Sequence, residues 1–452
     1  MLFKKKLLIF PTSRAIRDFI TLQKGRNTLL PFILTIDEFF KKSILFNNMK
    51  YCEEEQRVLF LNEAIKDINI SKLGISDNFT KFLKQSDYIY RFFLELASEK
   101  VEIKDIQNVD TYDFYLEHLQ ILETIKTNYI NILEKNSYVD RINLDNHYKI
   151  NENFLKKFEE IELHFEGYFT KVEFEIVEKI SKFINVKINF YSNTYNQRSL
   201  EVFKNMNIDL KIDFNYKIDL TNKLVLQEEK NKKNLQSLEI KGFSSRLNQI
   251  AYIKDSIVKS VQKGVNPSRI ALVLPDETFA SYIQLFDTEK YFNYAMGKTI
   301  KNTNLYQVAY AIYSYLSEDD IKHISNLDFL KLDKNFIDKN IKSIWNKKAS
   351  KENFEFISDF IKSKDDSAEL LEKYDELLYK LNIIVFSNDN VILLKDVYKI
   401  FLQKLVKLTL DDINSGKVTV LGLLETRAVE FDTVIICDFN ESFIPKISVK
   451  DK

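Results

Sequence analysis

Two long stretches of helical apolar spacing constrain most strongly what this chain can fold into. They occupy residues 53–133 and 305–410, and runs such as FTKFLKQSDYIYRFFLELASE show the pattern. Apolar side chains that recur every three or four positions line one face of a helix, and such faces pack against one another. The sequence therefore predicts two separate all-helical segments.

Short apolar runs typical of β-strands surround both helical stretches, and helices alternate with them. The predicted strands are 7–10, 32–35, 160–165, 186–191, 210–213, 237–243, 270–274, 417–421 and 434–437. The predicted helices among them are 14–22, 36–46, 172–183 and 247–262. Alternation of strands and helices indicates an α/β fold.

This order predicts two α/β domains, each interrupted by a helical insertion. The first domain would comprise 1–52 and 150–225, with its insertion at 53–149, and the second 236–304 and 415–452, with its insertion at 305–414. A charged stretch at 227–234 reads as a solvated linker between the two.

Composition excludes several classes of protein. Lys and Arg total 66, and Asp and Glu also total 66, so any contact with nucleic acid must come from local patches. Two cysteines and four histidines show no metal-ligand spacing, so we expect no metal site, and the low cysteine content favours a reducing cytoplasm. No run approaches the roughly 20 apolar residues of a membrane span.

The most specific segment is VTVLGLLETRAVEFDTVIICDFNESFIP, residues 418–445. It resembles motif V of UvrD-like superfamily 1 helicases, with Glu430 and Phe431 matching the motif. Gly422 stands in place of its Thr, Leu424 in place of its His, and Arg427 in place of its Lys. Neither Gly422 nor Leu424 can make the hydrogen bonds of the residue it replaces. The segment also resembles the AddB subunit of AddAB helicase–exonucleases, a relative of RecC.

Weaker similarities to the AddB family extend over nearly the whole chain. The segment 11–15 (PTSRA) resembles the turn after the first strand, and Glu166 stands in a degenerate motif II at 161–173. Further similar segments are 34–40, 242–276 and 293–303. The resemblance implies two degenerate RecA-like domains, each with a helical insertion, in a subunit that guides DNA beside an active motor.

The same resemblance implies partners and cofactors. DNA and an AddA-like helicase–nuclease subunit would be the partners, and the latter would bind ATP and Mg²⁺. We expect no cofactor and no catalytic residue within residues 1–452. In the AddB family a PD-(D/E)XK nuclease domain, which would bind Mg²⁺, follows the helicase-like region, and whether one follows residue 452 of this chain stays open.

Seven residues are candidate or vestigial site positions. The DNA-binding candidates are Arg14, Glu425, Thr426, Arg427 and Phe431, and the vestigial nucleotide-site positions are Glu166 and Glu430. Arg427 could bind a phosphate through its fork of donors, or it could pair with a nearby Glu to hold its loop. Arg14 could contact a DNA backbone, although a solvated helix face is the favoured interpretation.

Two competing functions remain open at this point. An active superfamily 1 helicase would need a phosphate-binding loop, and AMGKT at 295–299 has the closing Gly-Lys-Thr, but Phe292 stands where the first Gly belongs. A helical interaction scaffold without a nucleic-acid role would explain the zero net charge.

The segment 275–290 begins with Pro-Asp and ends with Glu-Lys, like part of a nuclease signature. It lacks the acid-x-Lys spacing of a nuclease site.

Overall fold

The computed structural model describes residues 5–25, 29–76, 79–107, 116–231, 237–317, 321–386, 392–410, 416–427, 429–441 and 443–444. The chain divides into two compact units. One unit comprises residues 1–45, 148–297 and 412–452, and the other comprises 46–147 and 298–411. The two larger β-sheets belong to the first unit, and most of the helices belong to the second.

The strands are numbered in chain order. They are β1 (Lys6–Phe10), β2 (Phe32–Thr35), β3 (Ile44–Phe46), β4 (Lys50–Tyr51), β5 (Tyr138–Val139), β6 (Tyr148–Ile150), β7 (Glu160–Phe165), β8 (Asn185–Ser192), β9 (Phe214–Asp219), β10 (Leu224–Lys230), β11 (Ile270–Leu274), β12 (Phe292–Tyr294), β13 (Lys298–Thr299), β14 (Thr409–Leu410), β15 (Val418–Gly422) and β16 (Thr433–Ile436).

The α-helices are numbered in the same way. They are α1 (Ser13–Leu22), α2 (Ile36–Ser43), α3 (Glu54–Ala64), α4 (Phe79–Ser98), α5 (Ile103–Gln107), α6 (Leu116–Lys135), α7 (Glu152–Leu155), α8 (Lys171–Ser181), α9 (Gln197–Asn205), α10 (Arg246–Gln262), α11 (Phe279–Leu285), α12 (Asn304–Ser317), α13 (Ile321–Phe329), α14 (Lys334–Ile337), α15 (Lys351–Lys362), α16 (Ala368–Phe386) and α17 (Leu394–Leu405).

The larger sheet has six strands in the order β10-β9-β8-β7-β1-β2. Strands β2, β1, β7 and β8 are parallel, and β9 and β10 are added antiparallel. In β8, buried Val186, Ile188 and Phe190 alternate with more exposed polar residues, because successive side chains point to opposite faces. Helices α2 and α8 both begin with a capping box, formed by Thr35 with Glu38 and by Thr170 with Glu173.

The second sheet has four parallel strands in the order β12-β15-β11-β16. Every residue of the two central strands, β11 and β15, is buried. Their apolar side chains pack with those of α10, including Ile250 and Ile253. A central parallel strand that is covered on both faces has this continuous apolar character. The chain is therefore a mixed α/β protein with mostly parallel sheets, as the sequence predicts.

The second unit is mainly helical. Helices α12 to α17 enclose one large core, and Leu59 and Phe79, from the earlier helical stretch, pack into that same core. Helices α3, α4 and α6 form a further core, which includes Phe82, Phe93 and Tyr129. The two helical stretches, more than 150 residues apart along the chain, thus share packing inside one unit.

The structure corrects three of the sequence predictions. Residues 237–243 form no strand, and Leu238 and Ile240 are 73% and 85% exposed. Residues 227–230, assigned to a charged linker, belong to β10, whose edge position leaves charged side chains in water. The strand predicted at 210–213 begins instead at Phe214. Among the described residues, no helix is long and apolar enough to cross a membrane.

Candidate functional site

The chain turns sharply where β15 ends. Gly422 closes the strand, and Leu424–Thr426 form a single 3₁₀ turn. The hydroxyl of Thr426 donates a hydrogen bond of 2.7 Å to a backbone carbonyl of the same turn. A side chain at Gly422 would collide with the carboxylates of Glu425 and Glu277. The turn therefore places Glu425 over the end of its own strand.

Glu425 and Glu277 form a close pair of carboxylates. Glu277 follows β11, the strand that pairs with β15. Partial burial raises the pKa of Glu277, and repulsion from Glu425 and then from Asp276 raises it further. One oxygen of Glu425 is buried and accepts no hydrogen bond from the described residues. Two like charges held this close favour a shared proton or a neighbouring cation.

Arg14 is a cation that interacts with one member of this pair, Glu425. It lies in the first turn of α1, directly after β1, and is half-buried. Burial lowers the pKa of Arg14, repulsion from Arg17 lowers it further, and attraction to Glu425 opposes both effects. Two of the predicted site residues, Arg14 and Glu425, thus lie near enough to attract each other, and they follow strands of two different sheets.

A second charged cluster at this edge is absent from the sequence predictions. The guanidinium of Arg246, at the start of α10, lies 2.6 Å from Asp276 and 2.8 Å from Asp438. The side-chain amide of Gln249 donates a further hydrogen bond of 2.8 Å to Asp438. The local signal was Ser245, which caps α10 and so identifies Arg246 as a first-turn residue. This cluster ties together the ends of β11 and β16.

The loops after β7 and β8 enclose a cavity of about 360 Å³. Tyr195 is 97% exposed at its rim, and the guanidinium of Arg198 lies 5.3 Å from the centre of the Tyr168 ring. Hydrogen bonds between Asn193 and Asn196 fix the loop, one of them 2.9 Å long. The cavity thus presents aromatic rings beside a cation, a combination that accepts stacked bases. Sequence reasoning missed it because no motif marks these residues.

The other predicted site residues are more dispersed. Arg427 is exposed in extended backbone after the 3₁₀ turn, Glu430 is exposed, and Phe431 is half-buried shortly before β16. Glu166 is exposed in the loop after β7, beside Gly167 with its positive φ of 98°. The two vestigial positions thus belong to different sheets.

The segment AMGKT does not adopt the form of a phosphate-binding loop. Gly297 closes a tight turn on Tyr294. Lys298–Thr299 then form β13, which pairs antiparallel with β14, and a 3₁₀ turn of three residues follows. A phosphate loop instead leads directly into the N-terminus of an α-helix, whose backbone N–H groups hold the anion.

Among the described residues, no group of three His, Cys, Asp or Glu side chains could hold a metal ion. The His164 ring stacks on Phe10 with ring centres 4.3 Å apart, and burial lowers its pKa despite the attraction of Glu162. His164 therefore belongs to the packing of the larger sheet.

Comparison with known proteins adds no identification. No protein-family model matches the chain, and no curated protein matches it with significance.

Proposed function

We propose that this protein is an AddB-like pseudo-helicase subunit of a DNA double-strand-break repair helicase–nuclease. Its two parallel-sheet segments would be degenerate RecA-like domains. It would guide one DNA strand beside an AddA-like motor subunit, and that subunit would supply ATP hydrolysis with Mg²⁺. The family assignment rests on the resemblance of residues 418–445 to motif V.

The observation that carries the proposal is the position of Glu425 beside Glu277 and Arg14. In the helicases that the sequence resembles, a phosphate-binding turn would follow the first strand, where Arg14 lies. Here the carboxylate of Glu425 interacts with Arg14 and lies beside that of Glu277, and these two carboxylates would repel the phosphates of a nucleotide. This arrangement supports a helicase-like fold that binds no nucleotide next to Arg14, Glu277 and Glu425.

Groups suited to a DNA strand lie at the same edges. The exposed side chain of Arg427 follows β15, and Tyr195 and Arg198 follow β8. Arginine binds backbone phosphates, and exposed aromatic rings stack on bases without regard to sequence. These features favour a strand-guiding role over a scaffold without a nucleic-acid role.

Fluorescence anisotropy with a labelled dT20 oligonucleotide tests the proposal. We expect the full chain to bind dT20 with an affinity that falls as salt rises, and Arg427→Ala to weaken binding several-fold. Arg91→Ala, which removes an exposed arginine from α4, is the matched control and should bind like wild type. Absence of dT20 binding at low salt would reject the strand-guiding role.

An ATPase assay tests whether the chain lacks nucleotide hydrolysis. We expect no DNA-stimulated ATP hydrolysis by the full chain. Hydrolysis that survives Lys298→Ala would contradict the proposal, and hydrolysis lost in that variant would return the function to the AMGKT segment.

A further inference from the structure

A second candidate surface lies at the opposite ends of the strands. A groove of about 1,010 Å³ opens where β1, β2 and β7 begin. The last turn of α2, strand β3 and the segment around α7 form its walls. All of these residues belong to the first unit, and none was singled out from the sequence. The groove is therefore separate from the carboxyl-terminal edges where Arg14 and Glu425 meet.

The charge of this groove has one sign. Five lysines line it, and no described lining residue carries a carboxylate. Lys6 is neutralised by Glu162 and Glu160. The other four form no ion pair with any described residue, and they are Lys5, Lys41, Lys42 and Lys157. Cations from three separate parts of the chain thus converge on the groove, and Glu38, which attracts Lys41 and Lys42, does not line it.

The floor of the groove is apolar and aromatic. Phe32 is 53% exposed, and its ring lies 5.5 Å from that of Phe158, tilted by 48°. Leu45 is 50% exposed beside them, and Phe154 is buried beneath. Apolar surface left in contact with water inside a concave site is characteristic of a binding site.

We propose that this groove binds single-stranded nucleic acid, with backbone phosphates on the four lysines and a base against Phe32 and Phe158. The inference rests on the proposed function and adds a binding site to it. An anionic ligand would complement the positive charge of the groove, and the partly exposed aromatic rings favour flat bases that can stack on them.

The double variant Lys41→Gln/Lys42→Gln tests the charge. Both side chains are exposed in the last turn of α2, so glutamine keeps the helix and removes only the charge. We expect dT20 affinity to fall by about tenfold. We also expect the plot of log affinity against log salt to flatten by about 1.4, since each lost phosphate contact contributes roughly 0.7. Lys182→Gln/Lys204→Gln, at two exposed lysines outside the groove, is the matched control and should change neither value.

The variant Phe32→Leu tests the aromatic floor. Leucine keeps the apolar contact at the start of β2 but removes the ring. We expect weaker binding of dT20 and unchanged binding of an abasic 20-mer, which has the phosphates but no bases. Equal loss for both oligonucleotides would contradict base stacking at this position.

The outcomes separate this inference from the proposed function. If Arg427→Ala weakens dT20 binding while Lys41→Gln/Lys42→Gln leaves affinity and salt slope unchanged, the groove inference is wrong and the proposed function stands. If wild type binds no dT20 at low salt, both are wrong. If a poly-glutamate peptide binds instead and the double variant abolishes that binding, the groove belongs to an acidic peptide rather than to nucleic acid.

Discussion

The guanidinium of Arg246 lies 2.8 Å from the carboxylate of Asp438, at the junction between α10 and the end of β16. The side chain of Asp438 is only 5% exposed, and that of Arg246 is 30% exposed. The same guanidinium also contacts Asp276 at 2.6 Å, so one cation compensates two carboxylates. A buried carboxylate that loses its cation keeps its desolvation cost without the attraction.

Arg246→Ala should therefore destabilise the unit that contains the four-stranded sheet. We expect the free energy of unfolding to fall by about 2–3 kcal/mol. This is less than the cost of breaking a fully buried ion pair, because Arg246 is partly exposed. Chemical denaturation measures the loss. Lys259→Ala breaks an exposed pair with Asp255 on the same helix and should leave the free energy of unfolding nearly unchanged. Equal losses in the two variants would contradict the role assigned to Arg246.

Two glycines of the same strand region should respond differently to alanine. A Cβ at Gly416 would overlap the backbone of Tyr291, whereas a Cβ at Gly422 would meet the flexible ends of Glu425 and Glu277. Backbone cannot withdraw without breaking the pairing of β12 with β15, but carboxylates can rotate away. We expect Gly416→Ala to cost about 3 kcal/mol or more and Gly422→Ala about 1 kcal/mol or less.

Thermal unfolding of both glycine variants measures this ranking. Gly264→Ala is a further comparison, because nothing lies near its Cβ position and only its positive φ of 92° opposes a side chain. The stability of Gly264→Ala should lie between the stabilities of the other two variants. A Gly422→Ala variant less stable than Gly416→Ala would show that the carboxylate pair is held rigidly.

Local pattern was sufficient to predict much of the fold. The run 270–274 is continuously apolar and forms the buried strand β11, and 14–22 has helical spacing and forms α1. The α/β class follows from such elements. The segment 237–243 has the same strand-like composition but forms no strand, because strand formation depends on a pairing partner that local sequence does not specify.

The candidate site was less predictable for the same reason. Gln249 and Asp438 are 189 residues apart along the chain, and no spacing rule connects them. Arg14 and Glu425 were each proposed from a motif position, but their proximity depends on how the two sheets meet. The lysines of the groove are ordinary surface residues in the sequence and form a cluster only through the fold.

The helical unit contains a buried carboxylate that should dominate its stability. Asp140 is fully buried and accepts hydrogen bonds from the hydroxyls of Tyr90 and Tyr129 and from Arg57, the last at 3.1 Å. Burial lowers the pKa of Arg57, but attraction to Asp140, the hydrogen bond to it and the neighbouring Tyr90 and Tyr129 together outweigh burial and leave that pKa raised. Asp140→Asn removes the charge that Arg57 requires.

We expect Asp140→Asn to cost about 3–5 kcal/mol, the range for one partner of a buried ion pair. Asp145→Asn, which breaks an exposed pair with Lys100, should cost less than about 1 kcal/mol. Urea denaturation followed by circular dichroism compares them. A small effect of Asp140→Asn would mean that the tyrosine hydroxyls satisfy an amide equally well.

The six-stranded sheet should lose stability in acid through Glu162. Burial alone would raise the pKa of this carboxyl, but hydrogen bonds from Lys6, Asn189 and Lys217 outweigh burial and hold it at about 2. A carboxyl whose pKa is lower in the folded state than in the unfolded state stabilises the fold at pH values above its ordinary pKa of 4.5. That contribution is lost as the pH falls from 4.5 towards about 2.

Glu162→Gln should therefore cost about 2–3 kcal/mol at pH 7 and progressively less as the pH falls towards 3, because wild type then loses the same charge. Denaturation at pH 7, 5 and 3 measures this convergence. Glu228→Gln, which breaks an exposed pair between β10 and Lys211, should leave the free energy of unfolding nearly unchanged at every pH. A Glu162→Gln cost that does not change with pH would assign its effect to hydrogen bonding and packing rather than to charge.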